Sequence, residues 1–440
     1  MKGRIKLKIR KGKRYPYGIH VPDMKHLCKE SPIEVMPAPE KVYLCVSQHI
    51  GAPALPCVEV GEHVKKGQLV AKESGFISAN VYASVSGQVI AIEEKVNALN
   101  QKQKYIVVQN DGENQTIGFD DMKDFSPASI IERIRLAGIV GLGGAGFPTA
   151  VKLSPASQLE YLIINGAECE PYLTCDYRLM IERTDEIYKG IMYTATALNV
   201  DKIIVGIEAN KPLALKAFER FDNIQVVELK KQYPMGSEKH LIYCTTGKKV
   251  PLGKMPFDVG CCVQNIKTMI AVYEAIEHNV PLTETVMTVS GNGIACPKNI
   301  RVALGTPFGE IAEFCGGLKD GAIKLVAGGP MMGKAIISTE HFVRKTDSGF
   351  LALINGETDA SSPTPCINCA RCANNCPMRL MPMYIESFAL SGDFAGAEKY
   401  GAMNCIECGS CAFNCPAKRP LVQSITMAKT KIKEMKKNGK

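Results

Sequence analysis

The chain has 440 residues, 46% hydrophobic and 22% charged, with 18 Cys and no Trp. At roughly 150 residues per domain, that length points to about three domains with a sizeable core, which excludes a disordered chain or a small stapled scaffold. The net charge of +9 sits at two ends: residues 1–14 carry eight Lys/Arg and no acid, and residues 417–440 carry eight against Glu434 alone. The body between them is acidic, so no basic groove for nucleic acid is expected.

No stretch approaches the ~18 apolar residues that would span a bilayer. The longest run free of Asp, Glu, Lys and Arg, Ser74–Ile92, is rich in Ser, Asn, Gln and Gly. The alternation Lys6-Leu7-Lys8-Ile9-Arg10 shows no apolar core of a secretory signal. Membrane association is therefore expected only through partners, with the basic tails solvated or resting on an acidic partner or anionic lipid.

In chain order, residues 1–35 read as a basic extension and 36–120 as an all-β module. Within the latter, Val58–Val70 and Ala83–Ile92 space apolar residues and glycines at strand and turn intervals, as in biotinyl/lipoyl barrel-sandwich domains. The hairpin tip near Gly75-Phe76-Ile77-Ser78 has no lysine to modify, so the module is structural. Residues 121–282 alternate patterns: Ile130, Ile131 and Ile134 share a helical face, Tyr161–Ile164 and Ile203–Ile207 are strand-like, and a helix should follow Pro212. That is an α/β domain. Residues 283–345 return to short strands with Gly-rich turns, a small α+β module. Residues 346–364 read as a linker, 365–425 as a Cys-rich domain with a helical spacer over 378–400, and 426–440 as a basic tail.

Eighteen cysteines without an export signal point to metal or redox work in a reducing compartment. Eight fall in two copies of one pattern: Cys366-x2-Cys369-x2-Cys372-x3-Cys376-Pro377 and Cys405-x2-Cys408-x2-Cys411-x3-Cys415-Pro416. This is the bacterial ferredoxin spacing for [4Fe-4S] clusters, in which the fourth Cys serves the other cluster. The expected ligand sets are Cys366, Cys369, Cys372 with Cys415, and Cys405, Cys408, Cys411 with Cys376. Two zinc sites would not explain a fourth Cys followed twice by Pro. The other ten Cys show no ligand spacing and read as structural, with Cys169 alone near a candidate site.

Gly141-Leu-Gly-Gly-Ala-Gly146 matches G-x-G-x-x-G, but a helical pattern precedes it where a dinucleotide fold needs a strand. The expected role is a phosphate cradle outside a Rossmann frame. Backbone N–H groups and a helix beginning near Pro148 would serve it, with Lys152 and Asn165-Gly-Ala-Glu-Cys-Glu170 close behind. A pyridine nucleotide delivers a hydride while an iron–sulfur cluster takes one electron at a time, so a phosphate cradle beside two clusters calls for a flavin. No triad or general-base pair stands out among the seven His.

Gly141–Lys152, Asn165–Glu170 and Tyr233-Pro-Met-Gly236-Ser-Glu238-Lys resemble the FMN/NADH subunit of respiratory NADH dehydrogenase. The whole chain more closely resembles the RnfC subunits of ion-translocating ferredoxin:NAD+ oxidoreductases. The segments Gly18–Pro22, Gln48–Pro53, Asn165–Leu173, Gly328–Gly333 and Cys415–Gln423 carry that likeness. It implies noncovalent FMN held by Gly141, Gly143, Gly144, Gly146, Lys152, Asn165 and Asn265. It also implies NAD(H) near Phe147, Glu168, Glu170, Tyr233, Gly236 and Glu238, with Glu168 and Glu170 in the catalytic role. Residues 283–345 would be a β-grasp module of the SLBB type. Partners would be the other Rnf subunits, including an iron–sulfur subunit that accepts electrons from ferredoxin, on the cytoplasmic face of the membrane. Leu142 and Ala167 depart from the respiratory pattern, which has Arg and Asp there. The alternatives are a soluble flavin/iron–sulfur reductase for another acceptor, of the cobalamin-reductase or proline-reductase electron-donor type, and a non-enzymatic cluster-relay adaptor.

Overall fold

Val42, Leu44, Val64, Val70, Val89, Ile106 and Val108 lie on short strands and are all fully buried. They close the N-terminal module between two small sheets. One has the order Lys41–Cys45, Lys102–Asn110, Gly87–Val96, His63–Val64; the other, Leu55–Pro56, Leu69–Lys72, Val81–Tyr82. This is the barrel-sandwich that the alternation predicts. The computed structural model describes residues 9–154, 158–359, 361–437 and 439. The first part of the basic N-terminal tail lies outside these.

The α/β domain is a five-stranded parallel sheet in the order Arg10–Lys11, Ile224–Leu229, Lys202–Glu208, Tyr161–Gly166, Cys261–Asn265. Its central strands are near-continuous apolar runs because helices cover both faces of a parallel sheet. Ile163 and Ile164 are fully buried side by side. The long helices Thr184–Leu198 and Ile266–Glu277 pack together on one side.

The third module is a six-stranded sheet carrying the helix Phe308–Phe314. Two of its strands lie outside the boundaries that the sequence pattern gives. Gly349–Ile354 falls in the expected linker yet pairs with both Ala322–Ala327 and Glu284–Ser290, well inside the sheet. Ile33–Val35 comes from the expected basic extension and pairs with Lys298–Ala303. The N-terminal segment is thus no appendage: Arg10–Lys11 edges one sheet and Ile33–Val35 another. Lys345, fully buried, joins modules by donating to the carbonyls of Asn80 (2.5 Å) and Gly138 (2.8 Å).

The C-terminal domain packs Ile385, Ala389, Ala397, Ile425, Ala428 and Ile432 among the helices Pro382–Leu390, Phe394–Lys399 and Leu421–Lys437. One-turn helices, Arg371–Asn374 and Ser410–Phe413, carry the two Cys motifs. Among the described residues, no helix is long and apolar enough to cross a membrane.

Candidate functional site

The helix Pro127–Leu136, capped by the Ser126 hydroxyl, delivers the chain to the glycine loop. Gly141 N–H donates to Phe147 O at 2.9 Å, and Leu142 N–H to Thr268 Oγ1 at 3.1 Å. These bonds pin the loop's base. Among the described residues, the N–H groups of Gly143, Gly144 and Ala145 have no protein acceptor, and all three residues are exposed. Each glycine has its own reason. A Cβ on Gly143 would lie 2.3 Å from Asn265 Nδ2, and Gly146 holds a left-handed φ of +73°. A Cβ on Gly144 would meet nothing within 4 Å, so its open face is left for a ligand. The expected helix after Pro148 is a single turn, Thr149–Lys152, too short to lend a strong dipole. The donors left open at this loop are therefore the Gly143, Gly144 and Ala145 N–H groups.

Leu142 and Ala167, the two departures from the respiratory pattern, are buried side chains. Neither faces the open side of the loop.

Lys152 and Glu238 meet, but as a pair with each other: Nζ lies 2.5 Å from Oε1. Burial works against the Lys152 charge, yet Glu238 beside it holds the ammonium above its ordinary value. Phe147 closes the loop half-buried. Asn165 ends the strand Tyr161–Gly166; its Nδ2 donates to Gly236 O at 2.8 Å, joining the acidic loop to the Tyr233–Glu238 segment. Asn265 caps the helix Ile266–Glu277 and donates to Asp176 Oδ2 at 2.8 Å.

The acidic loop turns through left-handed Glu168 (φ 46°) and Tyr172 (φ 66°). Glu168 Oε1 accepts the Asp176 N–H at 2.7 Å, and Oε2 lies 3.8 Å from Lys25 Nζ. Burial pushes its carboxyl up to about 7 against the pull of Lys25 and Lys211. Glu170 is likewise pushed up to about 7 by burial, although it accepts N–H bonds from Met331 (3.1 Å) and Met332 (2.8 Å). Those donors belong to Gly328–Gly333, so Glu170 also ties the α/β domain to the third module. Tyr233 Oη stands 3.5 Å from Glu170 Oε1 and donates to Cys408 O at 2.6 Å. A cluster-motif cysteine is thus one side chain away from the acidic loop.

Cys366 and Cys369 are exposed, while Cys372, Cys376, Cys408 and Cys411 are buried. Burial raises the Cys372 thiol, and so do nearby Cys415 and Cys366. Cys405, Cys408 and Cys411, raised first by burial, each have Cys376 as a neighbour. Cys376 thus lies beside Cys405, Cys408 and Cys411, and Cys415 beside Cys372. Zinc bonds of ~2.3 Å would draw sulfurs to ~3.8 Å of one another. Among the described residues, the one group gathering three donors within 4.8 Å is Glu168, Cys175 and Asp176. Cys175 also adjoins the acidic loop, so Cys169 is not the lone non-cluster thiol there.

Lys25, Lys211, Asp176 and the Met331 and Met332 amides escape the sequence reading. Lys25 and Lys211 are isolated lysines in no motif, and backbone donors leave no mark in a sequence.

Four family profiles match in order: the RnfC barrel sandwich hybrid domain over residues 13–113, the Nuo51 FMN-binding domain over 134–274, the SLBB domain over 286–335 and the 4Fe-4S dicluster domain over 365–419. The chain is 44% identical over 428 residues to the C component of the proton-translocating ferredoxin:NAD(+) oxidoreductase complex of Clostridium ljungdahlii, covering 95% of this chain and 94% of that one. It is 46% identical over 429 residues to the C component of the ion-translocating oxidoreductase complex of Rhodobacter capsulatus, covering 95% and 83%. It is 38% identical over 432 residues to the C component of the Na(+)-translocating ferredoxin:NAD(+) oxidoreductase complex of Acetobacterium woodii, covering 96% and 98%. With that identity spread along nearly its whole length, the chain belongs to the RnfC family, the C components of ion-translocating ferredoxin:NAD+ oxidoreductase complexes.

Proposed function

We propose that this chain is the peripheral NAD(H)-oxidising or NAD+-reducing subunit of a membrane ferredoxin:NAD+ oxidoreductase. FMN supplies the conversion the reaction needs, hydride exchange with NAD(H) on one side and single electrons for two [4Fe-4S] clusters on the other. The observation that carries this reading is the contact from the acidic loop to the backbone of a cluster-motif cysteine, Glu170 to Tyr233 to the Cys408 carbonyl. The Gly143, Gly144 and Ala145 amides, with Lys152, would hold the FMN phosphate, and Asn165 and Asn265 would fix the loops around it. Phe147, Glu168, Glu170, Tyr233, Gly236 and Glu238 would line the NAD(H) side.

The two thiol sets have different places. The set of Cys405, Cys408, Cys411 and Cys376 adjoins the α/β domain: Tyr15 Oη also donates to Pro377 O at 2.7 Å. The other set presents exposed Cys366 and Cys369 beside exposed Ile367. The outer set is the one that partner subunits can approach. Those partners hold the chain at the cytoplasmic face of the membrane and move the ion, a proton in the name of the Clostridium relative and Na+ in that of the Acetobacterium relative. Likeness to components of such complexes over nearly the full length disfavours a soluble reductase for another acceptor.

Anaerobically purified chain should hold FMN and about eight iron atoms, and should reduce an artificial acceptor with NADH. Cluster-loaded protein without flavin would point to the relay adaptor instead. Lys152→Ala should weaken FMN retention by about ten- to a hundredfold, since a charge-assisted bond is worth ~1.5–3 kcal/mol. Glu238→Gln, which frees the Lys152 ammonium from its carboxylate, should keep FMN bound. Equal FMN loss in both variants would show that the pair acts as a structural unit and not through the lysine's charge.

A further inference from the structure

Lys25 belongs to no motif assigned to a site, and it lies in a segment that reads as a basic extension. Its side chain is nevertheless only 8% exposed. The segment docks through Ile19, whose N–H and C=O bond Tyr233 O and N–H at 2.8 and 2.9 Å, and through Asp23 O, which accepts the Tyr172 N–H at 2.8 Å. Lys25 then reaches beneath the acidic loop. Its Nζ donates to Glu170 O at 2.9 Å and to Leu173 O, and stands 3.8 Å from Glu168 Oε2. That oxygen is buried and has no hydrogen-bond partner among the described residues. A loop with two left-handed non-glycine residues needs bonds from outside to keep its shape. Lys25 supplies two of them from one ammonium.

The contacts continue past Glu168. Its Oε1 accepts Asp176 N–H, Asp176 Oδ2 accepts Asn265 Nδ2, and the Asn265 side chain occupies the space beside Gly143. The acidic loop and the glycine loop are therefore one connected assembly, anchored at its far end by the N-terminal segment.

We propose that Lys25 is a positioning residue of the nucleotide site, holding the acidic loop in shape and, through Glu168, Asp176 and Asn265, setting the glycine loop. The inference rests on the reading of the site as one for FMN and NAD(H). The groups facing Glu168 are Lys25, Lys211, Asp176, Cys28 and Cys175, with Glu208 behind Lys211. Lys211 is shared with Glu208 (3.4 Å) and the Ala167 carbonyl (2.6 Å), so it cannot replace Lys25. Burial already raises the Glu168 carboxyl, and Lys25 opposes that rise. Removing the Lys25 charge lifts the carboxyl further, so any activity needing ionised Glu168 fails at a higher pH than in the wild type.

The test compares wild type, Lys25→Met, Lys25→Arg, Glu168→Gln and the Lys25→Met/Glu168→Gln double variant in the full, anaerobically purified chain. Amide exchange of residues 167–174, measured with and without added FMN, should speed up about tenfold or more in Lys25→Met and much less in Lys25→Arg. The acid limb of NADH oxidation with an artificial acceptor should move up by about one pH unit in Lys25→Met. Glu168→Gln, which cannot ionise, should lower NADH oxidation at every pH, and adding Lys25→Met should still speed the exchange, since the bonds to Glu170 O and Leu173 O are lost in either background. If Lys25→Met does not accumulate, Lys25→Gln keeps one donor without the charge and takes its place. Unchanged exchange together with an unchanged acid limb in Lys25→Met would overturn the proposal, and so would a Glu168→Gln variant with wild-type activity and a wild-type acid limb. A wild type lacking FMN or NADH oxidation would instead defeat the functional reading, while the exchange comparison would still decide the role of Lys25 in the loop.

Discussion

Cys376→Ser should cost the chain the cluster whose other ligands are Cys405, Cys408 and Cys411, and spare the one beside it in sequence. Iron should fall from about eight to about four per chain. The reason is spatial. Cys376 is buried next to the second trio, its sulfur receives the Leu380 N–H at 3.3 Å, and the Pro377 carbonyl is held by Tyr15. Cys415 stands by Cys372 and Cys366 in the mirrored arrangement. Serine keeps the volume but is a poor ligand for iron, so the fold should survive while one cluster does not. Electron paramagnetic resonance of the reduced variant distinguishes the two clusters. Loss confined to the cluster of Cys366, Cys369 and Cys372 would refute the crossed pairing. Cys415→Ser should give the complementary spectrum. Because the inner set adjoins the α/β domain, Cys376→Ser should also cut NADH-driven reduction of the outer cluster far more than it cuts flavin reduction.

The second large effect separates two adjacent glycines. Gly144→Val should leave the apo chain's thermal unfolding close to wild type, within the ~0.5 kcal/mol usual for a free surface position. Nothing lies within 4 Å of the new Cβ, and the backbone there is not left-handed. The same chain should lose FMN, since the added methyl groups occupy the open face above the free amides. Gly143→Val should do the reverse of this in order: its Cβ would fall 2.3 Å from Asn265 Nδ2, so the protein itself is destabilised, by about 1–3 kcal/mol of overpacking, before any ligand is considered. Apo melting curves and flavin content on the same preparations separate the two. Full FMN in Gly144→Val would show that the loop is only a turn.

The features legible in the sequence are those whose chemistry is local. Each Cys trio spans seven residues, and the glycine loop six, so their purpose survives in the linear text. The barrel-sandwich shows in the strand and turn spacing of apolar residues and glycines over Val58–Val70 and Ala83–Ile92. What stays hidden depends on distant partners. Arg10–Lys11 and Ile33–Val35 are strands of two and three residues, below any detectable period, and exist because Ile224–Leu229 and Lys298–Ala303 offer them an edge. Gly349–Ile354 is an apolar run, but its place beside the Ser/Pro/Thr stretch disguises a sheet strand as linker. Lys25 reads as one more basic residue near a basic tail, and only the fold shows it under the acidic loop. Lys152 fits a phosphate cradle by position, while its pairing with Glu238 could not be foreseen from residues so far apart.

The early-made strands have a consequence for assembly. Arg10 must wait for Val227, and Ile33 for Asn299, so these two strands cannot settle until those distant partners have been synthesised. Closing such long loops costs about 8 RT in entropy, growing only slowly with length, and it forces an order on the nascent chain. The sheet strands that carry the glycine and acidic loops pair within a shorter span, but the acidic loop still lacks the Lys25 and Asp23 bonds while the N-terminal segment is loose. Because the N-terminal segment bonds the acidic loop and Tyr233 only once it docks, the acidic loop takes its final shape late in assembly.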